Sequence, residues 1–178
     1  MKGRSLTGSS ITNCFSDFLL KYEGNYLEIG IFDGYNLCLV AKSIPLKICY
    51  GIDPFISDGH IGYEKGTPIP EHEKNCKENM QEVPNTKLFR VTSEEFLKNL
   101  TDEMINEMNV SAVYIDGSHH FPDVIIDIEL AIKLIGSKPG LIIFDDLHIS
   151  DVKEGIKWGM EKYPEHLRSI SSTHYINI

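Results

Sequence analysis

Five short apolar segments alternate with longer segments of helical periodicity along most of the chain. These apolar segments span residues 26–29, 48–52, 88–91, 112–115 and 141–144. Each is nearly continuous in apolar residues, which is typical of strands that helices cover on both faces of a sheet. Because strands that alternate with helices form parallel sheets, we predict an α/β fold with a Rossmann-like, doubly wound, mostly parallel sheet. The tail at 167–178 has strand character, and we expect it to form a short antiparallel edge.

The helical segments carry apolar residues at spacings of three and four. We predict helices over 12–22, 36–43, 93–108 (one helix or two), 124–135 and 151–163. The pattern is clearest where Val124, Ile128, Ala131 and Ile135 recur and Gly136 follows as a stop signal.

One long stretch, 57–70, lacks periodicity and contains three glycines and two prolines. A loop of that length in a compact domain is usually functional or disordered, so we expect an active-site lid, with a disordered surface loop as the alternative. We expect residues 1–178 to form a single domain, in which 1–24 holds a leading helix.

The bulk composition limits the classes of function. Hydrophobic residues make up 42% and charged residues 24% of the 178 residues, as in a soluble globular domain. The formal net charge of -9 disfavours a nucleic-acid partner, because phosphate backbones require clustered lysine and arginine. The absence of a signal-peptide pattern and of a long apolar run favours a cytoplasmic protein without a membrane partner. We therefore expect a small-molecule partner.

The first predicted strand runs into a turn that contains Gly30 and Gly34, with Glu28 at the strand end. Glycine allows a ligand to approach the backbone and permits positive φ. The second predicted strand ends at Asp53, where an acidic residue can accept both ribose hydroxyls of an adenosine. The third glycine of the G-x-G-x-x-G dinucleotide motif is missing, yet NAD and S-adenosylmethionine both remain compatible with this turn. Ser93 follows the third strand and is expected beside the adenine.

Acidic residues follow the fourth and fifth predicted strands. Asp116 ends the fourth, and Asp145 and Asp146 end the fifth. Neighbouring parallel strands bring their carboxyl ends together, so three carboxylates converge and would repel one another without a cation. Oxygen ligands suit Mg²⁺, Ca²⁺ or Mn²⁺. Consecutive strand residues point to opposite faces, however, so Asp145 and Asp146 share a metal only if the chain turns there; separate solvated or helix-capping aspartates are the alternative.

The chain resembles the class I methyltransferases, and within them the macrocin and cephalosporin-tailoring O-methyltransferase group. The matching blocks are YLEIGIFDG at 26–34, ID at 52–53, YIDGSHHF at 114–121, PG at 139–140 and IIFDD at 142–146. The resemblance spans about residues 26–158.

This resemblance implies S-adenosylmethionine as the cofactor and a divalent metal. The implied cofactor-binding residues are Glu28, Gly30, Phe32, Gly34, Asp53, Ser93 and Asp116. The implied metal ligands are Asp116, Asp145 and Asp146. Where the family often has a second aspartate this chain has Ser118, and His119 at the family's histidine position is the expected catalytic base, with His120 as its competitor.

The expected function is therefore transfer of a methyl group to a hydroxyl of a sugar, polyketide or phenolic compound. Vicinal hydroxyls of such acceptors would chelate the metal well. Two alternatives remain, an NAD-dependent oxidoreductase or epimerase and a non-catalytic methyltransferase-like binding module. A homodimer is possible, in which a partner subunit supplies cover for the acceptor.

Overall fold

The computed structural model describes residues 9–59, 62–169 and 174–177. The helices are α1 (Ser9–Lys21), α2 (Tyr35–Ser43), α3 (Pro70–Gln81), α4 (Ser93–Asn99), α5 (Asp102–Met108), α6 (Phe121–Ile135) and α7 (Ser150–Lys162). The strands are β1 (Asn25–Ile29), β2 (Cys49–Ile52), β3 (Thr86–Phe89), β4 (Val110–Ile115), β5 (Gly140–Phe144), β6 (Arg168–Ser169) and β7 (His174–Asn177).

The seven strands form one sheet in the order β3-β2-β1-β4-β5-β7-β6. Strands β1 to β5 pair in parallel, and β7 pairs antiparallel with both β5 and β6. The predicted Rossmann-like sheet with a short antiparallel edge is therefore confirmed. The strand order reverses between β1 and β4, the kind of switch point where the carboxyl ends of strands open into a ligand crevice.

Successive residues of the central strands enter two separate apolar cores, one on each face of the sheet. Leu27 and Ile29 of β1 pack with residues of α4, α5, α6 and α7. Tyr26 and Cys49 lie on the other face with residues of α1, α2 and α3. This alternation follows from the period of two in a strand, and it explains why the central strands are largely apolar on both faces.

Helix α3 was not predicted. Its apolar content is low, and only Cys76 and Asn79 are buried within it, so its sequence lacks a continuous apolar stripe. The segment 93–108, for which one or two helices were expected, forms two. Thr101 begins the second one by accepting a hydrogen bond from the Met104 backbone N–H.

No helix in the described part of the chain combines the length and the apolar character that crossing a bilayer requires.

Candidate active site

The carboxyl ends of the parallel strands open into a cavity of about 420 Å³. Seven predicted site residues line it, namely Gly30, Phe32, Asp53, Ser93, Asp116, His119 and Asp146. Part of the predicted lid segment also forms its wall, through Ser57, Asp58, Lys65, Gly66 and Ile69. Closure of this segment as a lid stays a prediction, and residues 60 and 61 within it lie outside the described residues.

The glycine turn after β1 has a conformation that its sequence makes possible. Gly30 has φ of 80°, and a Cβ added there would lie 2.1 Å from the Asp116 carbonyl oxygen. Gly34 has φ of 69° and lies against the Cys76 sulfur, away from the cavity wall. Phe32 also adopts positive φ, at 51°, and its ring lies 3.7 Å from the His72 ring. The close approach of the β1 and β4 ends therefore requires glycine at position 30.

Asp53 holds this turn through backbone contacts. Its Oδ2 accepts hydrogen bonds from the N–H groups of Ile31 and Phe32, both at 2.9 Å, and its Oδ1 accepts one from Phe55 at 2.6 Å. Burial raises the pKa of this carboxyl, although the three backbone N–H groups lower it. A carboxylate has about four acceptor positions, so these contacts leave about one for a ligand hydroxyl.

Glu28 is not part of the described cavity wall. It is 2% exposed, and its Oε2 accepts hydrogen bonds from the Tyr26 hydroxyl at 2.9 Å and the Asn36 amide at 2.8 Å. Burial raises the pKa of Glu28 to about 8, despite these two hydrogen bonds. Glu28 thus lies inside the protein beside the turn, and its predicted contact with a cofactor stays a prediction.

Three side chains from two strand ends converge at one end of the cavity. Asp116, His119 and Asp146 each offer a ligand atom, and these atoms all lie within 4.8 Å of one another. Asp146 has φ of 51°, so the chain turns sharply after β5. The pKa of Asp116 is raised well above its usual value, first by burial and then by the charge of Asp145. The cluster therefore has the oxygen and nitrogen donors and the excess negative charge that suit a divalent cation.

Asp145, the third predicted metal ligand, has a different set of partners. Its Oδ2 accepts a hydrogen bond from the Tyr114 hydroxyl at 2.5 Å, and its Oδ1 accepts one from the Asp146 N–H at 2.8 Å. The chain does turn at Asp146, which is the condition under which Asp145 and Asp146 could share a metal, so the role of Asp145 as a ligand stays a prediction. Of the three predicted ligands, the structure groups Asp116 and Asp146 with His119.

His119 bridges two carboxylates from distant parts of the chain. Its Nδ1 lies 2.7 Å from Asp58 Oδ2, and its Nε2 lies 2.5 Å from Asp146 Oδ2. Burial lowers the pKa of this imidazole, but the hydrogen bonds to Asp58 and Asp146 outweigh burial and raise it. Asp58 was not singled out in the sequence, since nothing near it in the chain marks a histidine partner 61 residues away.

The other polar residues of this region have identifiable partners. His120 donates from Nε2 to the Asp58 carbonyl oxygen at 2.8 Å. Ser118, where the family often has an aspartate, donates to Asp123 Oδ2 at 2.6 Å. Asp123 also lies 3.5 Å from the Lys65 ammonium of the loop. These contacts join the loop after β2 to the start of α6 across the cavity.

The order of the strands and the position of the cavity define a class of fold, that of the Rossmann-like methyltransferases. O-methyltransferase TomG from Streptomyces achromogenes, solved with S-adenosylmethionine, has 13% identity and a TM-score of 0.63, over 96% of this chain and 79% of that one. CalS11, a TDP-rhamnose 3'-O-methyltransferase of calicheamicin biosynthesis, has 12% identity and a TM-score of 0.62, over 94% of this chain and 77% of that one. Podospora anserina methyltransferase PaMTH1, solved with S-adenosylhomocysteine, has 11% identity and a TM-score of 0.64, over 97% of this chain and 79% of that one.

A family model described as a methyltransferase domain matches residues 27–147. The chain therefore belongs to the methyltransferase domain family, which confirms the resemblance seen in the sequence. A further relative, the uncharacterized protein R132 of Acanthamoeba polyphaga mimivirus, is 30% identical over 126 residues. The match covers 71% of this chain and 52% of R132, so the chain spans about half the length of that relative.

Proposed function

We propose that this protein uses S-adenosylmethionine to methylate a hydroxyl group of a small molecule, such as a sugar, a polyketide or a phenol. The observation that carries the proposal is the charge of the cavity above the glycine turn. Its wall contains seven carboxyl groups against one lysine and one histidine: Asp53, Asp58, Glu94, Asp116, Asp123, Asp127 and Asp146, with Lys65 and His119.

This charge favours a cationic ligand over an anionic one. S-adenosylmethionine carries a sulfonium and an ammonium against one carboxylate, whereas the pyrophosphate of NAD carries two negative charges. An anionic pyrophosphate would meet repulsion at most positions of this wall, and the turn lacks the third glycine of the dinucleotide motif. A volume of about 420 Å³ lies in the range of small-molecule and cofactor sites.

S-adenosylmethionine, when bound, supplies a methyl carbon that an acceptor oxygen attacks in line, so that the bond to sulfur breaks and its electron pair stays on sulfur. The chain has to orient the two reactants and accept the proton that the hydroxyl loses. Asp53 contributes by fixing the turn through three backbone N–H groups. His119 is the proposed proton acceptor. Its Nε2 must exchange Asp146 for the acceptor hydroxyl, while Asp58 keeps Nδ1 oriented.

We extend the proposal to a divalent cation on Asp116 and Asp146, which are both predicted ligands and whose carboxylate oxygens lie within 4.8 Å of each other. The burial of Asp116 among other carboxylates supports this assignment, because a cation would relieve their repulsion. A bound cation would lower the pKa of an acceptor hydroxyl and hold it near the methyl group. His119 lies in the same group of side chains, but as the proposed proton acceptor it is not counted among the ligands of the cation.

Binding of Mn²⁺ to the purified protein, followed by electron paramagnetic resonance, tests the cation site without turnover. Asp116→Asn should abolish saturable binding, because it removes a buried carboxylate from the group. Asp145→Asn should retain binding, because the Asp145 carboxylate is engaged with Tyr114. Loss of binding in Asp145→Asn alone would instead assign Asp145 as a ligand. Absence of saturable binding in the wild type would refute the cation.

Isothermal titration tests the cofactor. S-adenosylhomocysteine and S-adenosylmethionine should bind the full chain, and NAD should not. Saturable NAD binding without a response to S-adenosylhomocysteine would instead support the oxidoreductase. Turnover is then followed as release of S-adenosylhomocysteine from S-adenosylmethionine with a panel of catechols and nucleotide sugars. Binding without release from any of them would favour the non-catalytic module.

A further inference from the structure

Asp127 is a buried carboxylate in the wall of the cavity that the proposed chemistry does not use. It lies on α6 and is 3% exposed, yet it is one of the residues that line the cavity. The Ser93 side chain, at the start of α4, is hydrogen-bonded to it. Helices α4 and α6 pack against each other, so this pair joins two helices at one end of the cavity.

The backbone after β4 leaves this carboxyl close to the cavity. A Cβ added to Gly117 would lie 3.0 Å from Asp127 Oδ2, so a side chain at position 117 would come between the carboxyl and the strand end. Gly117, Ser93 and Asp127 all line the same cavity. Glycine at position 117 thus leaves space beside the Asp127 carboxyl, so that a ligand in the cavity can reach this polar group.

The energetics of Asp127 also favour a ligand with hydrogen-bond donors. Burying a carboxyl group is costly unless its acceptor positions are occupied, and a serine hydroxyl donates only one hydrogen bond. Burial raises the pKa of Asp127 to about 7; the hydrogen bond from Ser93 lowers it, and the charge of Asp123 raises it further. A ligand N–H directed at this group would offset part of the desolvation cost.

The position of Asp127 relative to the other site residues identifies that ligand group. In the proposed reaction the methyl group must lie near Asp116, His119 and Asp146, and the ribose near Asp53. The nucleobase then extends toward Ser93 and Asp127. Because this step rests on the proposed function, it assumes that S-adenosylmethionine binds. We propose that Asp127, oriented by Ser93, accepts a hydrogen bond from the exocyclic amino group of the adenine and so selects adenine over bases without it.

The test compares two ligands by isothermal titration on the full chain. One is S-adenosylhomocysteine, and the other is its analogue with hydrogen in place of the amino group at carbon 6. The wild type should bind S-adenosylhomocysteine about tenfold more tightly, the scale of one hydrogen bond to a buried acceptor. Asp127→Ala should bind both with nearly equal affinity. If Asp127 acts only in folding, its replacement would weaken the binding of both ligands equally and leave the ratio of the two affinities unchanged.

A matched control lies on the same helix. Glu129 is two residues away and contacts Lys162 and Tyr163, outside the cavity, so Glu129→Gln should keep the wild-type ratio. If Asp127→Ala does not unfold cooperatively, Asp127→Leu replaces it, because leucine fills the site without an acceptor.

The outcomes separate the two proposals. Absence of S-adenosylhomocysteine binding to the wild type would refute the proposed function. Binding without discrimination between the two ligands, or discrimination that persists in the Asp127 variant, would overturn the role of Asp127 alone.

Discussion

Replacement of Asp53 by asparagine tests how the glycine turn is held. The carboxylate accepts three backbone hydrogen bonds, two at Oδ2 and one at Oδ1. Asparagine retains one carbonyl oxygen. If that oxygen serves Ile31 and Phe32, the new amide NH₂ faces the Phe55 N–H, and at least one hydrogen bond to a charged acceptor is lost. Such a bond contributes about 1.5–3 kcal/mol, so Asp53→Asn should lower the free energy of unfolding by that amount.

The expected change is measurable by thermal unfolding and by titration. For a chain of this size 1 kcal/mol shifts Tm by roughly 2–4 °C, so we expect Tm to fall by roughly 3–12 °C. Affinity for S-adenosylhomocysteine should fall too, because the turn that lines the cavity becomes less rigid. Asp17→Asn, an exposed change on α1, is the control and should stay within about 0.5 kcal/mol of the wild type. A Tm within 1 °C of the wild type and an unchanged affinity would refute the inference that Asp53 stabilises the turn.

Two further predictions concern the turn and the residue beside it. Gly30→Ala should destabilise the protein much more than Gly62→Ala, because both glycines have positive φ but only Gly30 would place its Cβ 2.1 Å from a backbone oxygen; equal losses of Tm would contradict the close approach. In the folded state the pKa of Glu28 is raised to about 8, so Glu28 is expected to be protonated below that pH. In the unfolded state its pKa is about 4.5, so it is ionised above that pH. The folded state therefore holds the extra proton between these pH values, so the contribution of Glu28 to stability is fully present below pH 4.5 and is lost as pH rises through 8. Glu28→Gln should flatten this dependence in denaturant unfolding followed from pH 5 to pH 9, and an identical slope in both proteins would show that Glu28 is ionised in the fold.

The sequence predicted those parts of the protein that its local pattern specifies. Four of the five parallel strands could be located because they are buried on both faces and are therefore largely apolar. The partly exposed strand β3 was predicted at 88–91 and forms at Thr86–Phe89. Helix α3 was missed because a helix that buries so little has no apolar stripe to detect. Local patterns could place Asp116 and Asp146 at strand ends, but they could not show that the backbone turns at Asp146 with positive φ.

Two residues of the site needed the tertiary structure for different reasons. Asp58 approaches His119 from the loop after β2, and no spacing in the sequence relates them. Asp127 could have been noticed, since it interrupts the buried face of α6 between Val124 and Ile128. A carboxylate on the apolar stripe of a helix requires a partner or a function, and this signal was available in the sequence.

The bridge made by His119 also ties the site to the folding of the whole sheet. Its ring joins a residue from the loop after β2 to one that follows β5, across sequence separations of 61 and 27 residues. Contacts of such long range form only after most of the chain has collapsed, because closing long loops costs entropy before the contact stabilises anything. The geometry of the imidazole is therefore acquired late in folding. It should also be lost early, since the release of either strand end separates the ring from a carboxylate. In hydrogen exchange, the amides around His119 should therefore exchange as fast as those of the less stable of two segments, the loop after β2 or the turn after β5. They should exchange faster than the amides of strand β4, which precedes His119 in the chain.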